Sequence, residues 1–354
     1  KRASFYGMFI SLTVYLTDIV GFTDVESGWV AGIFAALIYL LPPFAGAASD
    51  MMGFRKALLL AFLLLTAGYA ALGFLYTKGS SVAALVIIAT GGSFIKSIIT
   101  GTVAKASDET NRARAFSIFY QMVNIGAFTG KSLAKPIRTE IGIEYINLLS
   151  AALCFTAIIA VFFLYRNIDS VGAGKSVRET LRGFVKVCSN GRFISLILGV
   201  SGFWAIQHQM YATMPKYVFR MVGEHAAPEW YANVNPLVVV LCVIPVTHLV
   251  RRMNPVNSIS IALLIIPFSA LIMSLSTYLE GVSGKAMDIV AGLSFHPVTI
   301  AFVFGIALQG FAECFLSPRF LEFASKQAPP GEVGLYMGYS HLTSFFANLL
   351  GFGI

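Results

Sequence analysis

PVTIAFVFGIALQGFAECFLSPRFLEF, residues 297–323, is an apolar run long enough to cross a bilayer. Its inner part, Gly310–Pro318, carries one carboxylate, Glu313, near the middle. A charge at that depth costs at least ~2.5–3.5 kcal/mol on insertion scales, so such a group faces a partner or a water-filled space. Lys96 stands at similar depth in a second apolar run, Val82–Val103. One intramembrane acid and one intramembrane base, in opposite halves of the chain, are the first pointer to function.

The rest of the composition agrees. Of 354 residues, 57% are hydrophobic and 12% charged, with a mean hydropathy of +0.77. Soluble proteins carry about 25% charged residues, so this is an integral membrane protein. Thirty Phe and 32 Gly suit closely packed helices in lipid. The net charge of +8 does not indicate nucleic acid, because the basic residues sit mostly in short loops between spans. Cys154, Cys188, Cys242 and Cys314 form neither a zinc pattern nor a disulfide framework. No Ser–His–Asp arrangement, P-loop, cleavable signal or metal-ligand cluster is visible, so no enzyme and no cofactor is expected. Lys1 leads straight into a span and Ile354 stops inside one, so the chain reads as a portion of something longer.

Apolar runs place spans near 4–20, 27–49, 56–76, 82–103, 113–134 and 145–165, then 193–219, 231–250, 257–277, 298–323 and 333–354. Between the two groups lies a polar linker, 166–192, with six basic residues and little that is apolar. The expectation is an all-α membrane protein with two six-helix bundles, 1–165 and 193–354. Eleven spans are visible and the twelfth is missing or cut. The loops at 50–56, 104–114, 166–192, 251–255 and 324–332 hold most Lys and Arg. That bias places linker and chain ends in the cytoplasm of a plasma (inner) membrane protein. Lys135, Arg138 and Arg220 fall on the other side and are exceptions.

Two bundles joined by a cytoplasmic linker resemble the major facilitator superfamily. Gly46, Asp50, Gly53, Arg55 and Lys56 in GAASDMMGFRK match its G-x-x-x-D-x-x-G-x-R-K signature. Gly53 permits a tight turn, and Asp50 is suited to cap a neighbouring helix N-terminus. In the superfamily that neighbour is span eleven, here opening near Gly331, and the contact latches the cytoplasmic side.

Within it, the chain resembles the proton-dependent oligopeptide transporters. KRASFYGM at the start resembles ERFSYYGM, and GGSFIK (Gly91–Lys96) resembles G-x-G-x-x-K. FYQMVNIGA (Phe119–Ala127), FWAIQHQ (Phe203–Gln209) and NPLVVVLCVIP (Asn235–Pro245) resemble FYxxINxGs, FWAxFEQ and NPlfiii..P. AECFLSPRFLEFASKQAP (Ala312–Pro329) resembles GElxlSPxgLxfxxkxAP. The resemblance implies a small peptide or related zwitterionic solute as partner. Its carboxylate would meet Lys96 and its amine Asn124, Asn235 and Glu313, with Tyr6 and Tyr39 lining the site. It also implies a proton as coupling ion, carried through Glu313, Arg2 and the helix-seven acid, which is His208 here. An imidazole with an unperturbed pKa near ~6.5 titrates in the working range, although a lone intramembrane His also serves as a packing residue. If His208 faces Glu313, the protonated ring would pair with that carboxylate.

Departures from the family pattern accompany the matches. The E-x-x-E-R motif ends here as Lys1–Arg2, the helix-one arginine is Phe9, and the helix-eleven tryptophan is Ser340. One half of the carboxylate clamp is therefore missing. The function expected is a secondary transporter, working as a monomer. The alternative is a receptor or assembly scaffold that kept the fold and lost coupling.

Overall fold

Proline and capping residues set the helix starts. Thr23 closes a capping box with Glu26, and Pro42, Pro215, Pro228 and Pro255 sit at first or second helical positions, where a missing N–H costs nothing. The computed structural model describes residues 1–105, 112–165, 177–250, 252–283, 287–290, 293–327 and 339–352. The first group of helices is α1 (Arg2–Asp18), α2 (Asp24–Leu40), α3 (Pro42–Met52), α4 (Phe54–Phe74), α5 (Lys78–Lys105), α6 (Arg112–Glu140) and α7 (Glu144–Leu164). Then come α8 (Val177–Cys188), α9 (Gly191–Ala212), α10 (Met214–Val222), α11 (Pro228–Tyr231), α12 (Val234–Val250) and α13 (Pro255–Ser274). The chain ends with α14 (Ser276–Ser283), strands β1 (Met287–Val290) and β2 (Leu293–Phe295), α15 (Pro297–Gln327) and α16 (Leu342–Phe352).

Every expected span up to residue 323 falls on one of these helices or on two in succession, and the described part of 333–354 holds α16. Among the described residues six helical stretches, two of them running over α11–α12 and α13–α14, are long and apolar enough to cross a membrane, and α2–α3 makes a further span bent by 44° at Leu41–Pro42. The bend follows from chemistry, since Pro42 cannot donate to the preceding turn. Exposed Phe74, Phe163, Leu164, Ile244 and Leu249 turn outward, as lipid-facing side chains do. By contrast α1 is buried from Gly7 to Leu16 on every face, among α2, α6, α7 and α9.

The connections depart from expectation. Part of the linker is helix α8, whose Thr180 carbonyl accepts the Tyr339 hydroxyl at 2.8 Å and whose Phe184 packs on that ring. Val177, Leu181, Phe184 and Cys188 recur at helical spacing there, a signal the low apolar content concealed. The segment at 278–296, expected as a loop, holds the end of α14 and an antiparallel hairpin pairing Met287 with Phe295. The bundles are otherwise helical throughout the described residues.

Close approach of helices rests on glycine. A Cβ on Gly7 of α1 would lie 3.0 Å from the Gly130 carbonyl oxygen of α6. On α2, Gly28 and Gly32 form a G-x-x-x-G stripe against α16, where added Cβ atoms would meet the Phe352 carbonyl at 2.5 Å and the Phe352 Cβ at 2.6 Å. That seam joins the N-terminal to the C-terminal helices.

Candidate functional site

Glu313 lies mid-way along α15, four residues beyond Gln309, so the two share a face. Its Oε2 accepts hydrogen bonds from Gln207 Nε2 of α9 at 2.7 Å and from Asn235 Nδ2 of α12 at 3.3 Å. Three helices of the second half thus converge on one carboxylate. Gly310 allows it: the α15 backbone comes so near α12 that a Cβ there would sit 3.0 Å from the Asn235 carbonyl. The first half approaches from the other side. Tyr39 of α2 and Tyr211 of α9 both lie within electrostatic reach of Tyr6 and Glu313. The Tyr6 and Tyr211 ring centroids are 6.4 Å apart. Lys96 Nζ sits 3.7 Å above the Tyr39 ring, a close cation–π arrangement.

Lys96, Tyr39, Tyr6, Asn235 and Glu313 therefore gather along one interface between the halves. Asn124 is half-buried on α6, two turns before Lys131. Arg2 packs its Cβ against Gly126 of the same helix. Ala3, Gly7, Gly130 and Ile146 line a shallow crevice within the first half, away from Glu313.

His208 does not pair with Glu313. One residue along α9 turns the side chain by ~100°, so Gln207 takes the carboxylate while His208 lies 6.0 Å from the Trp204 ring and beside Asn348. Its Nδ1 is buried without a hydrogen-bond partner.

In the loop between α3 and α4, Gly53 has φ +84° and ψ 141°, a conformation only glycine adopts readily, so the expected tight turn is present. Gly46 packs toward Ser97 of α5. Arg55 does not reach the second half: its Nη2 donates to the Phe162 carbonyl of α7 at 2.7 Å. Lys56 is exposed. The Asp50 side chain and the segment around Gly331 lie outside the described residues.

Sequence reasoning missed a set of contacts on α6. Lys131, 1% exposed, donates to the Ala232 carbonyl at 2.7 Å and lies within electrostatic reach of Glu313. Two turns on, Arg138 Nε meets Glu229 Oε1 at 2.6 Å, and Nη2 meets the Ala226 carbonyl at 2.9 Å. Trp230 Nε1 donates to the Ser132 carbonyl at 3.3 Å, and Asn233 Nδ2 to Ser132 Oγ at 2.9 Å. Lys216 reaches Asp24 at 2.8 Å, and Arg220 ion-pairs with the same carboxylate. All of these join the two halves.

The description Major Facilitator Superfamily matches residues 2–351. Dipeptide and tripeptide permease B of Aliivibrio fischeri (strain MJ11) is 29% identical over 178 residues, 49% of this chain and 35% of the permease. The chain thus spans about a third of that relative's length. Multidrug resistance protein MdtH of Aeromonas hydrophila is 24% identical over 337 residues, 92% of this chain and 78% of the relative. A POT family transporter solved in complex with 5-aminolevulinic acid superposes with a TM-score of 0.82 at 18% identity, covering 99% of this chain and 86% of its own.

Proposed function

Because this chain belongs to the major facilitator superfamily, we propose that it is a proton-coupled secondary transporter moving small peptides or a related zwitterionic solute by alternating access. One observation carries the reading. Glu313, in mid-span, is held by two amides and has no ion-pair partner within 4.0 Å among the described residues. An unpaired carboxylate at that depth is costly unless a proton or a substrate amine completes it. Lys96 on Tyr39 is the cation of the opposite half, and the relatives named for dipeptides and tripeptides support a zwitterion as cargo.

In this reading residues 1–165 and 193–354 are the two rocking bundles, 166–192 joins them in the cytoplasm, and the monomer is the working unit in the plasma membrane. The ion pairs of Arg138, Lys216 and Arg220 then close the outer side, leaving the chain inward-facing or occluded. His208 lies by Trp204 and Asn348 rather than against Glu313, so in this reading the carboxylate and not the imidazole carries the proton step. Binding measured from about pH 5 to 8, around the imidazole range, should keep the parent's profile in His208→Gln and change in Glu313→Gln; a changed profile in His208→Gln returns the step to the imidazole. Labelling of a cysteine at exposed Met52 from outside intact cells would overturn the topology.

Lys1, standing where the resemblance expects an acid, favours a second reading as a receptor or scaffold. Uptake of radiolabelled dialanine into proteoliposomes under an inward proton gradient separates the two. The transporter accumulates it and Glu313→Gln does not; absence of both binding and uptake in the parent supports the scaffold.

A further inference from the structure

Lys131 is as fully buried as any charged side chain described, yet poorly satisfied. An ammonium has three N–H donors, and the hydrogen bond described for this one is to the Ala232 carbonyl at 2.7 Å. The Tyr6 and Tyr211 ring centroids stand 6.0 Å away, at the outer limit of cation–π attraction. Charges taken out of water are retained at such cost only where geometry returns it.

The shortage on the opposite wall is of the other kind. Glu313 Oε2 is engaged by two amide N–H groups, but the amide oxygen of Gln207 that remains, Oε1, is buried with no donor. Gln309 Oε1, one turn before Glu313 on the same face of α15, is buried with no donor as well. Gln207 and Gln309 are 4% and 2% exposed, so bulk water does not reach them. A cation short of acceptors and an acidic group ringed by acceptors short of donors thus face one interface between the halves.

A molecule with a carboxylate and an ammonium meets both needs. The geometry points to Lys131 as the residue that binds the solute's carboxylate, with Gln207 and Gln309 joining Glu313 around its ammonium. The assignment rests on the transporter reading, moves the carboxylate contact from Lys96 to Lys131, and makes Lys131 a determinant of specificity for solutes with a free carboxylate. It requires that Lys131 leave, or share, the Ala232 carbonyl when substrate is bound.

Calorimetric titration of the purified chain with dialanine, dialanine amide and N-acetyl-dialanine tests it. The parent should bind dialanine roughly ten- to a hundredfold tighter than either capped form, the scale of a hydrogen bond to a charged group. Lys131→Gln should bind dialanine no better than the amide while still rejecting the N-acetyl form; Lys131→Arg should restore the preference. Gln207→Leu and Gln309→Leu should lose discrimination against the N-acetyl form alone. If Lys131→Gln fails to fold, Lys131→Met replaces it. Equal weakening of dialanine and its amide in Lys131→Gln, or no change in either, overturns the assignment. A parent that binds dialanine and its amide equally overturns it too but leaves the transporter reading standing. A parent that neither binds any probe nor takes up dialanine overturns both.

Discussion

Lys131 and Arg138 stand two turns apart on one face of α6, and both reach from the first half of the chain into the second. They are not treated alike. Arg138 meets both oxygens of Glu229 and the carbonyls of Glu224 and Ala226, so most of its donors are used. Lys131 has the Ala232 carbonyl. A planar guanidinium fixes several acceptors at once, whereas an ammonium on a flexible stem exchanges partners easily. The fully bonded cation suits a seal; the under-bonded one suits a site that fills and empties.

The largest way to break this contrast is to remove Arg138. Glu229 is 2% exposed, so Arg138→Ala strands a buried carboxylate and should cost about 3–5 kcal/mol, read as a large fall in melting temperature in detergent. Arg138→Met with Glu229→Leu should recover much of it. Next comes the glycine seam beside that seal. Gly28→Ala forces its Cβ against the Phe352 backbone oxygen and should cost about 1–3 kcal/mol, with looser packing of α2 on α16 seen by cross-linking. Lys131→Met should behave in the opposite sense to Arg138→Ala. Exchanging an under-bonded buried ion for an apolar chain should leave the stability within about 1 kcal/mol of the parent or raise it. A loss as large as that of Arg138→Ala would erase the distinction. Smallest is Asp24→Asn: the Asp24 side chain is 53% exposed in its pairs with Lys216 and Arg220, so the change should cost well under ~1 kcal/mol and vanish in high salt.

Much of this architecture was legible in the sequence, for reasons visible in particular residues. Span positions follow from apolar length, and the Gly53 turn from a backbone geometry only glycine tolerates well. Glu313 and Asn235 meet as their motifs suggest. The contacts between the halves were hidden because charge bias treats Arg138 and Arg220 as exceptions to a topology rule. Both form ion pairs between the halves, and Lys135 lies 4.4 Å over the Trp230 ring. A charge on the wrong side of the bias was the available signal. Lys131 sat too near a span end to be told from a snorkelling lysine. The Gln207 contact was lost to a one-residue question of helix phase, which a resemblance centred on His208 settles the other way.

The stripe of Gly28 and Gly32 has a kinetic consequence. Interlocked side chains resist relative movement because each must change rotamer before its neighbour passes. At Gly28 and Gly32 α2 offers backbone, with no side chain to reset. In the proposed transporter, rolling α2 over α16 is then limited by release of the Asp24 ion pairs rather than by rotamer changes at these two positions.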